Sequence, residues 1–467
     1  QSTAEMMSSV QNKLATGKKV NSALDNPSNF FTASGLNARA NDLGTLLDDM
    51  GQAVQTLKAA DEGISSITKL VESAKAKANQ ALQTQSQYER KQFTEQYNEL
   101  LTQIEDLAKD SSYKGKNLLA GDGNDLTAIF NEDSTSKLTI SATDYTDVGL
   151  STGLNLSDLE EGTGATTSFQ LQGGKTTITL TDGTSTLNSS SILSDSNAIS
   201  TTTSLSFVDD TGSTPTALAG AASLTAGATV QDLVDAFNDI AGVRAEFDEN
   251  TGELSVYSDE DFHITDGSVT ATLGSFAFDA NALTAATQLL SETGSFSIGD
   301  TLTLTDGNGY ELGSLEVEED TTVDDLENFV NDFNGVTASF DAASGKFNIT
   351  SETDLTLASD NSDFASSGFV EDTDGITISA LSASGFATDT KINRGIDRLN
   401  TALSNLRSQA SEFGTNLSTV EIRQDYTKTM INTLQEGAGL LTLADTNEEG
   451  ANLLALQTRQ QLASTSL

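Results

Sequence analysis

Residues 43–81 read LGTLLDDMGQAVQTLKAADEGISSITKLVESAKAKANQA, and this stretch decides the fold. Its apolar residues recur at alternating steps of three and four, the spacing of one face of a long α-helix. The face becomes alanine-rich towards its end, where small side chains let a partner helix approach closely. It consists of Leu43, Leu46, Met50, Ala53, Leu57, Ala60, Ile64, Ile67, Val71, Ala74, Ala78 and Ala81.

The C-terminal part of the chain carries a second face with the same steps. Because helical heptads are nearly absent between residues 130 and 385, the two ends are expected to pair as a coiled coil, with residues near Leu57 meeting residues near Leu406. Burying one Leu or Ile contributes about 1.5–3 kcal/mol, so the pairing outweighs screened surface repulsion. From periodicity alone, an ordinary helical bundle is the alternative. The second face consists of Ile392, Ile396, Leu399, Leu403, Leu406, Ala410, Phe413, Leu417 and Val420.

Two further amphipathic helices are predicted beside these faces. One runs through Tyr97, Ile104 and Ala108. The other is expected to open at Thr446, because Glu449 three residues later completes a capping-box pattern.

The charge is strongly acidic and unevenly distributed. The 467 residues include 24 Lys and Arg against 68 Asp and Glu, a net charge of −44. Residues 131–390 hold four basic and 44 acidic side chains, whereas the two flanks together hold 20 basic and 24 acidic ones. Such a field repels phosphate backbones and anionic membranes, so no nucleic-acid partner is expected. The middle is expected to face solvent, and the near-neutral ends can pack against copies of themselves.

The middle segment is rich in Ser, Thr, Gly and Asp and is expected to form strands. Thr179–Gly183 and Thr303–Gly307 predict strands that end in Asp-Gly turns. Residues 229–258 align without gaps with residues 322–351 at a separation of 93. Each copy predicts a short helix followed by a hairpin, which makes a duplicated α+β module. Such a repeat is more often a scaffold or spacer than a specific binding site.

The residues give no indication of catalysis, a cofactor or a metal site. The chain has no cysteine, and its one histidine, His263, lies in an expected strand, Phe262–Ile264. A zinc motif of two histidines is therefore impossible, and a structural histidine is far more common than a catalytic one. No P-loop, dinucleotide fingerprint or transmembrane stretch is present. An enzyme is not expected.

Three motifs then resemble the bacterial flagellin family, in the order in which that family has them. The first is LATGKKVNSALDNPS at residues 14–28, and the second includes YNELLTQI at residues 97–104. The third is EEGANLLALQTRQQL at residues 448–462. Both copies of the repeat are similar to a module found in the variable regions of flagellins and hook proteins. The resemblance covers about the first 160 and the last 80 residues, together with the repeats.

The resemblance implies a structural subunit that polymerises into the flagellar filament for motility. It also implies an extracellular location, type III export, and an export chaperone and cap proteins as partners beside copies of the chain itself. No membrane insertion is expected. Flagellins carry further apolar helical residues at both extreme ends, so the chain is expected to be truncated at both ends. The alternative is a cell-surface flagellin homologue that binds an extracellular polysaccharide, although the acidic middle disfavours a polyanionic ligand.

The expected fold is a multidomain α plus β protein. An antiparallel helical bundle or coiled coil formed by the N- and C-terminal segments carries inserted β-rich α+β outer domains. Residues 1–125 and 388–467 are assigned to the two halves of the helical core, and residues 126–165 to a β-hairpin transition. The outer domains are residues 166–290, with module 229–258, and residues 291–387, with module 322–351.

Two sets of residues are predicted to carry the function. The helical seam sets the packing, and the N-terminal motif is expected to contact neighbouring subunits. The seam comprises Leu43, Leu46, Met50, Leu57, Ile64, Ile67, Val71, Ile392, Ile396, Leu399, Leu403, Leu406, Phe413, Leu417 and Val420, and the motif residues are Leu14, Gly17, Asn21, Ser22, Asp25, Asn26 and Pro27.

Overall fold

Two compact units make up the chain in a computed structural model. The helical unit contains Gln1–Ala76, Asn98–Asp158 and Gly395–Leu467, and the sheet unit contains Lys77–Tyr97 and Leu159–Arg394. The structure describes residues 2–196, 206–209, 224–225, 227–240, 243–258, 262–265, 277–278, 281–282, 284–292, 296–360, 376–378 and 384–466.

Long helices lie at both ends of the chain and short ones in its middle. Over the described residues the α-helices are α1 (Thr3–Thr16), α2 (Pro27–Gln83), α3 (Gln87–Asp110), α4 (Val230–Asn238), α5 (Val323–Asn331), α6 (Asp389–Thr442) and α7 (Thr446–Thr465).

The strands pair antiparallel throughout the described part of the chain. They are β1 (Leu126–Ile129), β2 (Lys137–Ile140), β3 (Ala165–Gln170), β4 (Gln172–Thr179), β5 (Ser206–Asp209), β6 (Val243–Asp248), β7 (Glu253–Ser258), β8 (Phe262–Thr265), β9 (Ala277–Phe278), β10 (Asn281–Ala282), β11 (Thr301–Asp306), β12 (Glu311–Glu316), β13 (Val336–Asp341), β14 (Lys346–Ser351), β15 (Leu355–Ser359) and β16 (Ile376–Ile378). They form sheets in the orders β1-β2, β10-β4-β7-β6, β12-β11-β15-β16, β13-β14-β3 and β5-β8-β9.

The N- and C-terminal helices pack together, which confirms the predicted fold class. In the helical unit, Ala40 and Leu43 of α2 and Leu434 of α6 form one buried cluster. Further along the pair, Lys58 Nζ lies 3.9 Å from Glu421 Oε1. Because the α2 numbers rise as the α6 numbers fall, the two helices run antiparallel.

The predicted register of this pair is wrong. Lys58 lies opposite Glu421, so Leu57 is level with the residues next to Glu421 rather than with Leu406. Leu406 precedes Glu421 by 15 residues, about 22 Å at 1.5 Å per residue. Steps of three and four define an apolar face but leave its sliding position undetermined, since a shift by two heptads restores the same pattern.

A third helix completes the core of the helical unit. Leu101, Ile104 and Ala108 of α3 are fully buried, as are Ile67 and Val71 of α2. The predicted opening of α7 is off by one residue. Its N-cap is Asp445, whose carboxylate accepts the backbone N–H groups of Asn447 and Glu448, and Thr446 is already the first helical residue.

Both copies of the repeat have the predicted helix-hairpin structure in the sheet unit. In the first module, α4 packs on β6 and β7, and Leu233, Phe237 and Val256 share one core. In the second module, α5 packs on β13 and β14, and a separate core contains Leu326 and Phe347. Each helix starts with a threonine capping box that sequence analysis did not single out.

The strands from residues 165 to 179 complete both module hairpins. β3 pairs with β14 of the second module, and β4 pairs with β7 of the first. The strand predicted at Phe262–Ile264 is confirmed by β8, whereas the side chain of His263 lies outside the described part of the structure.

The turn between α2 and α3 is tied to the second module within the sheet unit. The backbone N–H of Gln87 donates to Asp306 Oδ2 at 3.0 Å, so a carboxylate from the end of β11 caps α3. Arg90 is buried and donates to Asp389 Oδ1 at 2.6 Å and to the carbonyl of Ala387 at 3.3 Å. A buried guanidinium requires such partners.

Two glycines of α2 provide a test of the packing of the helical unit. A Cβ at Gly63 would lie 2.2 Å from Ser111 Oγ, whereas a Cβ at Gly44 meets nothing within 4 Å. We expect Gly63→Ala to destabilise the helical unit by about 1–3 kcal/mol through overpacking. Gly44→Ala should stabilise it by about 0.5–1 kcal/mol, since alanine is the better helix former. Urea unfolding followed by circular dichroism measures both, and shifts of the same sign would contradict the packing described.

Candidate assembly surface

The N-terminal motif lies against the loop between α6 and α7 in the helical unit. Helix α1 ends at Gly17, whose φ of 66° is left-handed and therefore suited to glycine. The carbonyl of Gly17 accepts the N–H of Ala444 at 3.0 Å, and the N–H of Lys19 donates to the carbonyl of Thr442 at 2.8 Å. The motif is therefore joined to the C-terminal segment by backbone hydrogen bonds.

The polar residues of the motif set the shape of its own loop. The backbone N–H groups of Asn21 and Ser22 both donate to Asp25 Oδ2 at 2.9 Å. These bonds, that of Asn21 first, lower the pKa of the Asp25 carboxyl below its usual value. Asn26 Oδ1 accepts the N–H of Asn29 at 3.1 Å and so caps α2, whose first residue is Pro27. Leu14 is half-buried.

The same loop presents large apolar side chains to solvent. Leu24 is 95% exposed and Phe31 at the start of α2 is 65% exposed. On the C-terminal side of the contact, Leu440 is 73% exposed and Leu443 is also exposed. We call these four residues the apolar loop patch. Several large exposed apolar side chains on segments that are joined by backbone hydrogen bonds indicate a site of interaction with another molecule.

Helices α1 and α7 add further exposed apolar side chains to the helical unit. Described residues of α7 include none that is buried, and in α1 only Val10 is. Leu454 and Leu462 of α7 are largely exposed. An isolated pair with so little burial lacks the packing that stabilises helices in proteins.

A groove of ≈ 400 Å³ separates α1 from α7. It is lined by Met6, Val10 and Leu456, among others. Lys13 Nζ lies 3.5 Å from Glu449 Oε1, while Glu449 Oε2 is buried without a hydrogen-bond partner among the described residues. The groove therefore holds apolar surface and an acceptor that no described residue of the chain uses.

The predicted seam residues lie inside the chain. Leu46, Ile396 and Leu417 are half-buried, and the other twelve are buried. The exposed apolar residues were missed by sequence reasoning, because a leucine in a helical period is read as core. Of the eleven large apolar residues that are exposed in the described part, eight lie in the helical unit: Leu24, Phe31, Ile422, Tyr426, Leu440, Leu443, Leu454 and Leu462.

The described residues offer no other kind of site as clear. Among them, no three or more His, Cys, Asp or Glu side chains are placed to hold a metal ion. None of the helices in this part of the chain combines the length and apolar character needed to cross a membrane.

Comparison with known proteins matches the segment that carries α1 to α3. Residues 1–124 match the family described as the bacterial flagellin N-terminal helical region. The flagellin of Listeria monocytogenes is 26% identical over 116 residues, and flagellin B of Helicobacter pylori is 27% identical over 122 residues. The N-terminal segment of this chain is therefore similar to the N-terminal helical region of bacterial flagellins.

The matches to individual flagellins are partial. They cover 25% of this chain and 40% of the Listeria protein, and 26% of this chain and 24% of the Helicobacter protein. The chain thus spans less than half the length of these relatives. A solved structure, the flagellar cap protein FliD from Helicobacter pylori, matches 46% of this chain and 60% of its own chain. With 11% identity and a TM-score of 0.13, it is too dissimilar to indicate a shared fold.

The Asp25 carboxylate gives the loop between α1 and α2 a defined pH dependence. Since the folded pKa lies below the ordinary 3.8, the two hydrogen bonds stabilise the loop above pH 3.8 and are lost as the pH falls through the lower folded pKa. In an NMR titration, the amide signals of Asn21 and Ser22 should shift with a midpoint below 3.8. In Asp25→Asn this titration should be absent. A midpoint at or above 3.8 in the unchanged chain would contradict the loop geometry.

Proposed function

We propose that this protein is a structural subunit of a bacterial flagellar filament, and that the apolar loop patch contacts neighbouring copies. The observation that carries this proposal is the exposure of Leu24, Phe31, Leu440 and Leu443 where the two ends of the chain meet. The similarity of residues 1–124 to the N-terminal helical region of bacterial flagellins supports the same role. A second copy of the chain is the partner, because the helical segments carry little net charge and can approach one another.

The acidic middle segment suits the outside of such a filament. Residues 131–390 carry a net charge of −40, and the flanking segments −4. At physiological salt the repulsion between exposed charges fades beyond about 8 Å, so copies can pack through their flanks while the middle segments face water. We extend the proposal to the division into core residues 1–125 and 388–467, transition 126–165, and outer domains 166–290 and 291–387.

The remaining parts of the proposal follow from the family alone. They are an extracellular location, type III export, an export chaperone and a cap protein as partners, a mechanical role in motility and no catalytic activity. The seam residues set the packing within each copy, and Asn21, Ser22, Asp25 and Asn26 contribute to contacts between copies by holding Leu24 in place.

Charge at the apolar loop patch tests the proposal. The chain is expressed from its complete gene in a bacterium without its own flagellin, and filaments are examined by electron microscopy. Leu440→Glu should abolish filaments, because a carboxylate would be buried against apolar surface of the next copy. The fold should be retained, since surface substitutions usually change stability by less than about 0.5 kcal/mol.

Tyr310 of the sheet unit provides a matched control. It is also an exposed large apolar residue, and Tyr310→Glu should leave filament number and length unchanged. Filaments of normal length from Leu440→Glu, or equal losses from both variants, would refute the apolar loop patch as the contact between copies.

A further inference from the structure

Each module of the sheet unit leaves one strand at the edge of its sheet. The sheet orders β10-β4-β7-β6 and β13-β14-β3 place β6 and β13 at the ends. On one side, the module hairpins are completed by β4 and β3. On the other side, β6 and β13 have no neighbouring strand among the residues that the structure describes, and an edge of this kind can pair with a strand of another chain.

The last residue of each module helix occupies this edge. In the second module, the N–H of Ala338 donates to Asn331 Oδ1 at 2.7 Å, and Asn331 Nδ2 donates to the carbonyl of Ala338 at 3.0 Å. In the first module, Asn238 makes the same pair of bonds with Ala245, at 2.7 and 3.2 Å. A side-chain amide carries the donor and acceptor of a peptide group. Each asparagine therefore makes the two hydrogen bonds that a neighbouring strand would otherwise make with the edge strand.

The neighbouring edge positions of β13 are occupied as well. In an antiparallel strand, alternate residues direct their backbone groups away from the partner strand, which here places Val336 and Phe340 in line with Ala338. The N–H of Val336 donates to the carbonyl of Phe333 at 3.3 Å, and that of Phe340 donates to Glu327 Oε2 at 2.9 Å. Helix α5 and the turn after it thus satisfy three successive outward donors of β13.

The first module lacks one of these three contacts. Val243 donates to the carbonyl of Ile240 at 3.1 Å, as its counterpart does in the second module. Val234, however, stands at the position of Glu327, and a valine side chain accepts no hydrogen bond. The asparagine is therefore the polar side chain that occupies the edge strand in both modules.

Apolar packing already holds each helix on its hairpin. Leu326 and Val330 of α5 are fully buried in the second core, and Leu233 and Phe237 of α4 in the first. Asn238 and Asn331 themselves are exposed at the sheet edge. Their position therefore suits a role in blocking the sheet edge from other strands better than a role in attaching the helix to its hairpin.

We propose that Asn238 and Asn331 act as edge guards, which prevent β6 and β13 from pairing with a strand of a second copy of the chain. The excluded partner is a second copy because the same edge strands are present in every copy. The net charge of −44 provides a second, salt-sensitive barrier to such pairing. This inference concerns the sheet unit and holds whether or not the chain forms filaments through its helical ends.

Hydrogen exchange at two protein concentrations tests the proposal for β13. The full chain is used in 1 M NaCl, where the Debye length is about 3 Å and charge repulsion is suppressed. In dilute Asn331→Ala, the peptide containing Ala338 should exchange about tenfold faster than in the unchanged chain. In concentrated solution it should regain protection, while light scattering shows dimers or larger species. Asn328→Ala is the matched control, since Asn328 lies on the same helix and contacts only Asp324 among the described hydrogen bonds of its side chain.

Two outcomes would overturn the proposal. The first is that Asn331→Ala stays monomeric at every concentration. The second is that its faster exchange is independent of concentration, as loss of a purely structural contact would give. If Asn331→Ala does not fold, Asn331→Asp decides the question. It keeps an acceptor for the N–H of Ala338 but removes the donor to its carbonyl, and it should show weaker, still concentration-dependent protection. Absence of that dependence would refute the edge guard.

Discussion

The antiparallel packing of α2 against α6 is the constraint on which the rest of the structure depends. Leu57, Ile64 and Ile67 of α2, and Leu399 and Leu406 on the other side of the chain, are essentially free of solvent contact. Each such side chain contributes about 1.5–3 kcal/mol. Closing the long intervening loop costs little by comparison, since each doubling of loop length adds only about 0.6 kcal/mol. A packed pair of ends therefore tolerates a large insertion between them.

The features that the sequence predicts well are periodic or repeated along the chain. The features that it misses depend on contacts between residues that are far apart in the sequence. The α2 and α6 faces and both modules follow from spacing that a few dozen residues contain. The register does not, since Leu57 is level with residues next to Glu421 rather than with Leu406, and sliding by about two heptads preserves the pattern. The pairing of β3 with β14 joins residues about 180 positions apart and has no local signal. The choice of Asp445 over Thr446 as N-cap is set by the loop before α7.

The exposed apolar residues of the candidate assembly surface also depend on distant contacts, in this case on contacts that are not made. Leu440 at the end of α6 and Leu454 of α7 have the residue type and setting of core leucines, yet both are exposed because few helices surround this end of the chain. Whether a side chain is exposed depends on which other elements pack around it, and the helical spacing of apolar residues carries no information about those elements. The motif around Asp25 was recognisable, but its polar residues form the loop itself. These polar residues hold Leu24 in place, and its apolar side chain is 95% exposed.

Comparison of the two modules shows which residues are the same in both copies and which differ. Their cores differ, with Phe237 in the first copy where Val330 stands in the second. Both copies retain a threonine that caps the helix and an asparagine that ends it on the edge strand. A core can exchange volume between neighbouring side chains, because hydrophobic contacts are not directional. A hydrogen bond at a helix end or a sheet edge requires a donor and an acceptor at fixed positions, so these positions allow fewer residue types.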